Sequence, residues 1–112
     1  MKIDTRAQGV ELSASLHEQI ERCVNFGLDW ARHEVSRISI TLSDINGPRG
    51  GKDKRCQVRI PLSRMRDVLI DEVADDLQVA IARAVDRAAR SLERRLSRQR
   101  EFGPSPLLMA EE

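Results

Sequence analysis

The chain lacks any apolar stretch long enough to cross a membrane. A transmembrane helix needs about 20 consecutive apolar residues. The first residues also lack the apolar run of a signal peptide, so export is not expected. We therefore predict a cytoplasmic protein with no membrane partner.

Cysteine and histidine are scarce, with two residues of each. His17 and His33 flank the first predicted helix, and no spacing of Cys and His resembles a zinc site. No nucleophile stands in a recognisable cluster with an acid or base. We therefore expect no metal, no cofactor, no small-molecule substrate and no enzymatic activity. Cys23 and Cys56 are predicted to be free thiols that serve as small buried hydrophobic residues, because a reducing cytoplasm disfavours disulfides.

The hydrophobic periodicity predicts four strands and two helices. Alternating apolar and polar residues indicate strands, whereas apolar residues three or four positions apart indicate helices. The phase of the last strand is ambiguous, because Leu69 and Val73 alternate against Val68 and Ile70. The predicted elements are strand 2–7, helix 14–32, strands 35–43, 55–62 and 67–73, and helix 77–100.

The order β-α-β-β-β-α predicts an α+β fold, a two-layer α/β sandwich in which a four-stranded sheet carries both helices on one face. Strands 35–43 and 55–62 should pair as a hairpin. Gly27 falls on the inner side of the first helix, where we expect close approach to the sheet. The open face of the sheet is predicted to be mildly cationic from its outward residues: Lys2, Arg6, Arg37, Ser39, Thr41, Arg55, Gln57 and Arg59.

The length of the chain, 112 residues, fits one domain. We assign residues 1–102 to this domain. Residues 103–112 follow a Gly-Pro pair and are too few to pack independently, so we predict a flexible C-terminal tail.

Five arginines recur at steps of three and four along the last predicted helix, and we call them the arginine row: Arg83, Arg87, Arg90, Arg94 and Arg98. At 100° per residue they fall within a sector of about 80°, roughly opposite the apolar stripe. Residues 77–100 hold seven arginines against Asp86 and Glu93, a local charge of +5 in a chain of net charge +1. Such segregation favours a polyanionic partner, although long helices also carry arginines for solubility alone.

A second basic block spans residues 49–66, with seven cations and one acid, Asp53. It contains most of the glycine-rich loop between the two hairpin strands. Exposed backbone N–H groups and long cationic side chains both suit phosphate. The spacing does not match a nucleotide-binding loop, and a solvated hairpin tip fits the pattern equally well.

The order of these segments resembles that of the bacterial ribosome hibernation-promoting factor and ribosome-associated inhibitor family, in its short, single-domain form. The similarity covers roughly residues 2–100. It rests on Lys2-Ile-Asp, on Val10-Glu-Leu-Ser and above all on the run from Asp76 to Arg95, which is similar to the signature helix of the family. The segment Leu42-Ser-Asp-Ile-Asn-Gly, followed by Asp53-Lys-Arg-Cys, is similar to one subgroup.

The resemblance implies a translation inhibitor that binds the rRNA of the small ribosomal subunit, in the channel for mRNA and tRNA, during stress or stationary phase. We expect such a protein to be a monomer when free. The resemblance assigns rRNA binding to basic positions on the last helix and in the hairpin loop: Arg87, Arg90, Arg94, Arg95, Arg98, Lys52, Lys54 and Arg55.

Two features depart from this family. Gln78 stands where the family helix commonly has tyrosine, and the chain contains no tyrosine at all, so base stacking is not expected there. The first helix carries few cations. A divergent paralogue that acts as a general RNA-binding or protein-interaction module is therefore the alternative. A double-stranded RNA-binding domain is disfavoured, because Asp75 and Asp76 make the start of the last helix acidic.

Overall fold

The computed structural model describes residues 1–45 and 53–102, with the side chains of residues 99–102 excepted. The described residues form four strands and two α-helices in the predicted order β-α-β-β-β-α. These elements are β1 (Lys2–Gln8), α1 (Ala14–Leu28), β2 (Arg37–Asp44), β3 (Lys54–Ile60), β4 (Val68–Ala74) and α2 (Leu77–Phe102).

The four strands form one sheet in the order β1-β2-β3-β4. β1 runs parallel to β2, with α1 as the crossover between them, and the other two pairs are antiparallel. The predicted hairpin of β2 and β3 is confirmed, and it sets Leu42 opposite Cys56. In β4, Val68 is buried and Leu69 is 69% exposed, which settles the phase of this strand.

Both helices pack on the same face of the sheet. α2 lies across β3 and β4, and α1 lies beside α2. The fully buried side chains Ile20 of α1, Ile40 of β2 and Leu92 of α2 belong to a single hydrophobic core. The predicted two-layer sandwich is therefore confirmed.

Gly27 marks a close approach of the two helices. A Cβ atom added there would lie 3.4 Å from Cγ1 of Val85 in α2. The residue thus faces the neighbouring helix, and the prediction that it would face the sheet was wrong. The helical period identifies an inward position but not the element that lies against it.

A local hydrogen bond marks the start of α1, and a short 3-10 turn follows its end. The Leu16 N–H donates to Oγ of Ser13 at 3.1 Å, so Ser13 is the N-cap of α1. The predicted helix 14–32 is α-helical only as far as Leu28, and Asp29–Ala31 continue it as one 3-10 turn.

The two cysteines are free thiols, as predicted. Cys56 is fully buried and Cys23 is partly buried. Burial raises the pKa of the Cys56 thiol to about 12, so this group stays protonated at neutral pH. Its role in the core is that of a small apolar side chain.

α2 is 26 residues long, which corresponds to about 39 Å and exceeds the length of the strands beneath it. At its start the Gln78 N–H donates to Oδ1 of Asp76 at 2.8 Å, so one of the acidic residues caps the helix. Near its other end Leu96 is still 94% buried, leaving 6% exposed. α2 runs antiparallel to β4, because Arg87 contacts the middle of β4 and Arg95 contacts the residues just before it.

Candidate nucleic-acid interface

The whole arginine row lies on the exposed side of α2, but its members have different surroundings. Arg87 donates through Nη1 to Oε2 of Glu72 at 2.5 Å and to the carbonyl oxygen of Asp71 at 3.2 Å. Arg90 pairs with Asp86 one turn earlier, at 3.0 Å. Arg87 therefore fastens α2 to β4, and Arg90 is neutralised within its own helix.

The other three members of the row, Arg83, Arg94 and Arg98, form no ion pair with any described residue. Arg83 borders a shallow cleft that Asp75 and Asp76 also line, so its surroundings are acidic. Arg94 and Arg98 lie toward the opposite end of the helix. Positive charge without a carboxylate partner is thus concentrated in the C-terminal part of α2.

Arg95 links this part of α2 to the loop of residues 61–67 between β3 and β4. Its side chain is partly buried, and Nη1 donates to the carbonyl oxygens of Arg66 and Asp67, the latter at 2.7 Å. This contact brings the loop to the end of α2 that carries Arg94 and Arg98. Arg64 and Arg66 of the loop are exposed and, within the part of the chain that is described, form no ion pair.

We call Arg64, Arg66, Arg94 and Arg98 the arginine cluster. Exposed Glu93 lies on the same stretch of α2 and pairs with none of them. Both loop arginines belong to the basic block 49–66 of the sequence, but phosphate binding was predicted only for the glycine-rich loop of the hairpin. The sequence feature that could have identified Arg64 and Arg66 is that they form a pair of cations just before β4.

The two hairpin cations that the structure describes, Lys54 and Arg55, have carboxylate partners. Nζ of Lys54 lies 3.1 Å from carboxylate oxygens of both Asp44 and Asp53, and these hydrogen bonds, first that to Asp44, raise the pKa of Lys54. Nε of Arg55 donates to Oδ1 of Asp71 at 2.8 Å, and this bond lowers the pKa of the carboxyl group. The predicted site residue Lys52 lies outside the described residues.

The hairpin cations and the arginine cluster occupy opposite ends of the sheet. Lys54 pairs in register with Ala74, close to the start of α2. The loop 61–67 follows the other end of β3. Seven residues of strand separate the two ends by about 20 Å. The structure therefore does not join Lys54 and Arg55 to the predicted residues at the end of α2.

The open face of the sheet carries less uncompensated positive charge than predicted. Arg37 pairs with Asp4 at 3.4 Å, and Arg59 pairs with Asp67 at 2.8 Å. The Arg59 hydrogen bond is the main cause of the lowered pKa of Asp67. Together with the pair of Arg55, these contacts offset three of the cations that the sequence had placed on this face.

In residues 1–45 and 53–102 no group of three or more His, Cys, Asp or Glu side chains is arranged to hold a metal ion. No helix there is both long and apolar enough for a membrane span.

Comparison with known proteins identifies a family and a set of similar solved structures. Residues 3–100 match the family described as sigma 54 modulation protein / S30EA ribosomal protein. The N-terminal domain of Protein Y from Thermus thermophilus has a TM-score of 0.68 at 24% identity, covering 84% of this chain and 98% of that one. A ribosomal subunit interface protein from Coxiella burnetii has a TM-score of 0.64 at 26% identity, covering 90% and 99%. No curated protein sequence gives a significant match.

Proposed function

Because the chain belongs to the sigma 54 modulation protein / S30EA ribosomal protein family, we propose that it associates with the ribosome and inhibits translation. Its site would be the rRNA of the small subunit in the channel for mRNA and tRNA, occupied during stress or stationary phase. The family match and the likeness to a ribosomal subunit interface protein support this function. The proposed location is the cytoplasm, where such a partner is found.

The observation that carries the proposal is the arginine cluster. Its four guanidinium groups share one end of the molecule and have no carboxylate partner in the described residues. Guanidinium groups bind phosphate oxygens in a bidentate manner, and each phosphate they neutralise releases counterions. An exposed group of unpaired arginines is therefore suited to an RNA backbone.

The other predicted rRNA ligands take secondary roles in this proposal. Arg87 and Arg90 already pair with carboxylates, so their positive charge is partly offset before any phosphate contact. Lys54 and Arg55 form a separate candidate contact at the far end of the sheet. A partner as large as a ribosomal subunit spans both ends, since they are only about 20 Å apart.

Cosedimentation with purified small ribosomal subunits tests the proposal. The wild-type protein should pellet with the subunits at low salt, and the binding constant should fall steeply as salt rises. The variant Arg94→Glu with Arg98→Glu should bind much more weakly. Arg83→Glu is a single-substitution control, because Arg83 is on the same helix, exposed and without an ion-pair partner in the described residues, but lies at the other end.

Two results would contradict the proposed function. One is a wild-type protein that stays in the supernatant at low salt. The other is a double variant at Arg94 and Arg98 that pellets as well as the wild type. Equal losses in the double variant and in the Arg83→Glu control would point to nonspecific electrostatics rather than to the arginine cluster.

A protein-interaction role is the second candidate, and one observation favours it. Phe26 is 94% exposed and Trp30 is 47% exposed, four residues apart near the end of α1. Exposed aromatic residues of this kind commonly mark protein contacts. If Phe26→Ser lowers affinity for intact subunits but not for the free rRNA, this surface contacts a ribosomal protein. If it lowers neither, the aromatic surface is not used in the complex.

A further inference from the structure

We infer that Arg95 is a positioning residue that fixes the β3–β4 loop, and that Arg64 and Arg66 of this loop contact RNA phosphates together with Arg94 and Arg98. The inference rests on the proposed function and extends its RNA-binding surface from one helix to a helix and a loop. It also separates arginines that touch RNA from an arginine that acts through its neighbours.

Hydrogen bonds hold both ends of the loop. Arg95 reaches across from α2 and donates to the carbonyl oxygens of Arg66 and Asp67. The Asp67 carboxylate accepts from the backbone N–H of Leu62 at 3.4 Å and from Nε of Arg59 at 2.9 Å. Leu62 and Asp67 are thereby tied to each other across the loop, and Arg66 and Asp67 are tied to the helix.

Apolar side chains fix the inner side of the loop. Leu62 and Met65 are partly buried and pack against the hydrophobic core. Ser63, Arg64 and Arg66 are exposed. This pattern keeps the apolar residues on the core side and leaves the two arginines in solvent. The loop therefore presents its cations on a fixed backbone.

The surroundings of Arg95 differ from those of the arginine cluster. Its side chain is partly buried, and Nη1 already serves two backbone carbonyls. Arg95 therefore already uses donors on bonds that hold the loop, and its partial burial leaves its guanidinium group less open to a phosphate than that of an exposed arginine. Among the described residues the arginine cluster makes no such bonds. A loop that is ordered before binding also avoids the entropy cost of ordering it in the complex.

Binding of purified small ribosomal subunits over a range of salt concentrations tests the inference. Arg64→Ala with Arg66→Ala should reduce the slope of log K against log salt by about 2, since each phosphate contact contributes about 1. On the same relation, affinity at about 0.1 M salt should fall about 100-fold. Arg83→Ala serves as the control and should leave the slope unchanged.

A second comparison isolates the positioning role. Arg95→Met keeps a long apolar stem but removes every donor, so it should weaken binding in the wild-type background. In the background of Arg64→Ala with Arg66→Ala it should have no further effect, because the groups that it positions are gone. Circular dichroism and thermal unfolding of each variant verify that the fold is retained.

The outcomes separate this inference from the function on which it rests. Additive effects of Arg95→Met and the loop variant would show that Arg95 contacts phosphate itself and would overturn the positioning role. An unchanged salt slope in the loop variant, with intact wild-type binding, would remove Arg64 and Arg66 from the interface and leave the proposed function standing. Wild-type protein that fails to bind at low salt would contradict the proposed function itself.

Discussion

Arg87 has a structural role that a substitution can measure. It is the member of the arginine row whose side chain reaches another element of the fold, through the Glu72 carboxylate and the Asp71 carbonyl oxygen. Arg87→Ala removes both contacts and leaves Glu72, whose side chain is only 18% exposed, without its cation. We expect this variant to be clearly less stable than the wild type.

The magnitude follows from the exposure of the two partners. Fully exposed ion pairs contribute about 0.2–1 kcal/mol, and hydrogen bonds to charged groups about 1.5–3 kcal/mol. The Arg87 side chain is 54% exposed and Glu72 is largely covered, so the pair belongs between these ranges. We expect a loss of about 1–1.5 kcal/mol, which for a small domain lowers Tm by about 5 °C or somewhat more.

Urea unfolding followed by circular dichroism measures this loss. Arg87→Ala should lower the midpoint without changing the m value. A double-mutant cycle with Glu72→Gln should give a coupling energy of about 0.5–1 kcal/mol. Arg83→Ala is the control, and its effect should stay within about 0.5 kcal/mol because Arg83 has no ion-pair partner in the described residues.

The reasoning is refuted if Arg87→Ala costs no more than Arg83→Ala or if the coupling with Glu72 is zero. The Arg87→Ala variant also tests the role in rRNA binding that the family resemblance implies for Arg87. If Arg87 contacts phosphate in the complex, its alanine variant will reduce the salt slope of subunit binding by about 1. If its role is only to fasten α2 to β4, the slope will not change.

Three further predictions concern stability and reactivity. Arg55 holds the pKa of Asp71 below its usual value of about 3.9, so this pair stabilises the fold above that pH and the contribution disappears as pH falls further. Asp71→Asn should therefore flatten the decline of the unfolding free energy at acid pH, and an unchanged decline would refute the pairing. A thiol reagent at mildly alkaline pH should label Cys23 well before Cys56, as peptide mapping would show, unless the Cys56 thiol is less buried than described. Leu92→Ala should cost about 2–5 kcal/mol in urea unfolding, and a loss below 1 kcal/mol would contradict its place in the core.

The sequence predicted which side of α2 carries the arginines but not which residues they contact across the fold. The helical period placed the whole arginine row on one exposed side, and the structure confirms this. The partners of Arg87 and Arg95 were not predictable, because Glu72 is 15 residues from Arg87 and Arg66 is 29 residues from Arg95. Contacts at such separations depend on how α2 is placed against β4, which no local pattern encodes.

The surroundings of the cations in the basic block 49–66 were likewise not predictable from the sequence. The basic block 49–66 is continuous in sequence, but phosphate binding was predicted only for its hairpin loop. In the structure β3 runs through this block and places Lys54 about 20 Å from the loop 61–67. Lys54 meets carboxylates at Asp44 and Asp53, whereas the loop meets the end of α2.

The sequence by itself determined the elements of this protein, their order and the residues of its core, because apolar periodicity is a local property of the chain. It also determined that positive charge is concentrated on α2 and in the block 49–66. Only the tertiary structure decided which cations have partners, that Gly27 faces Val85, and that Arg64 and Arg66 join Arg94 and Arg98 at one end. The physical reason is that ion pairs and surfaces form between residues that the fold, and not the sequence, makes neighbours.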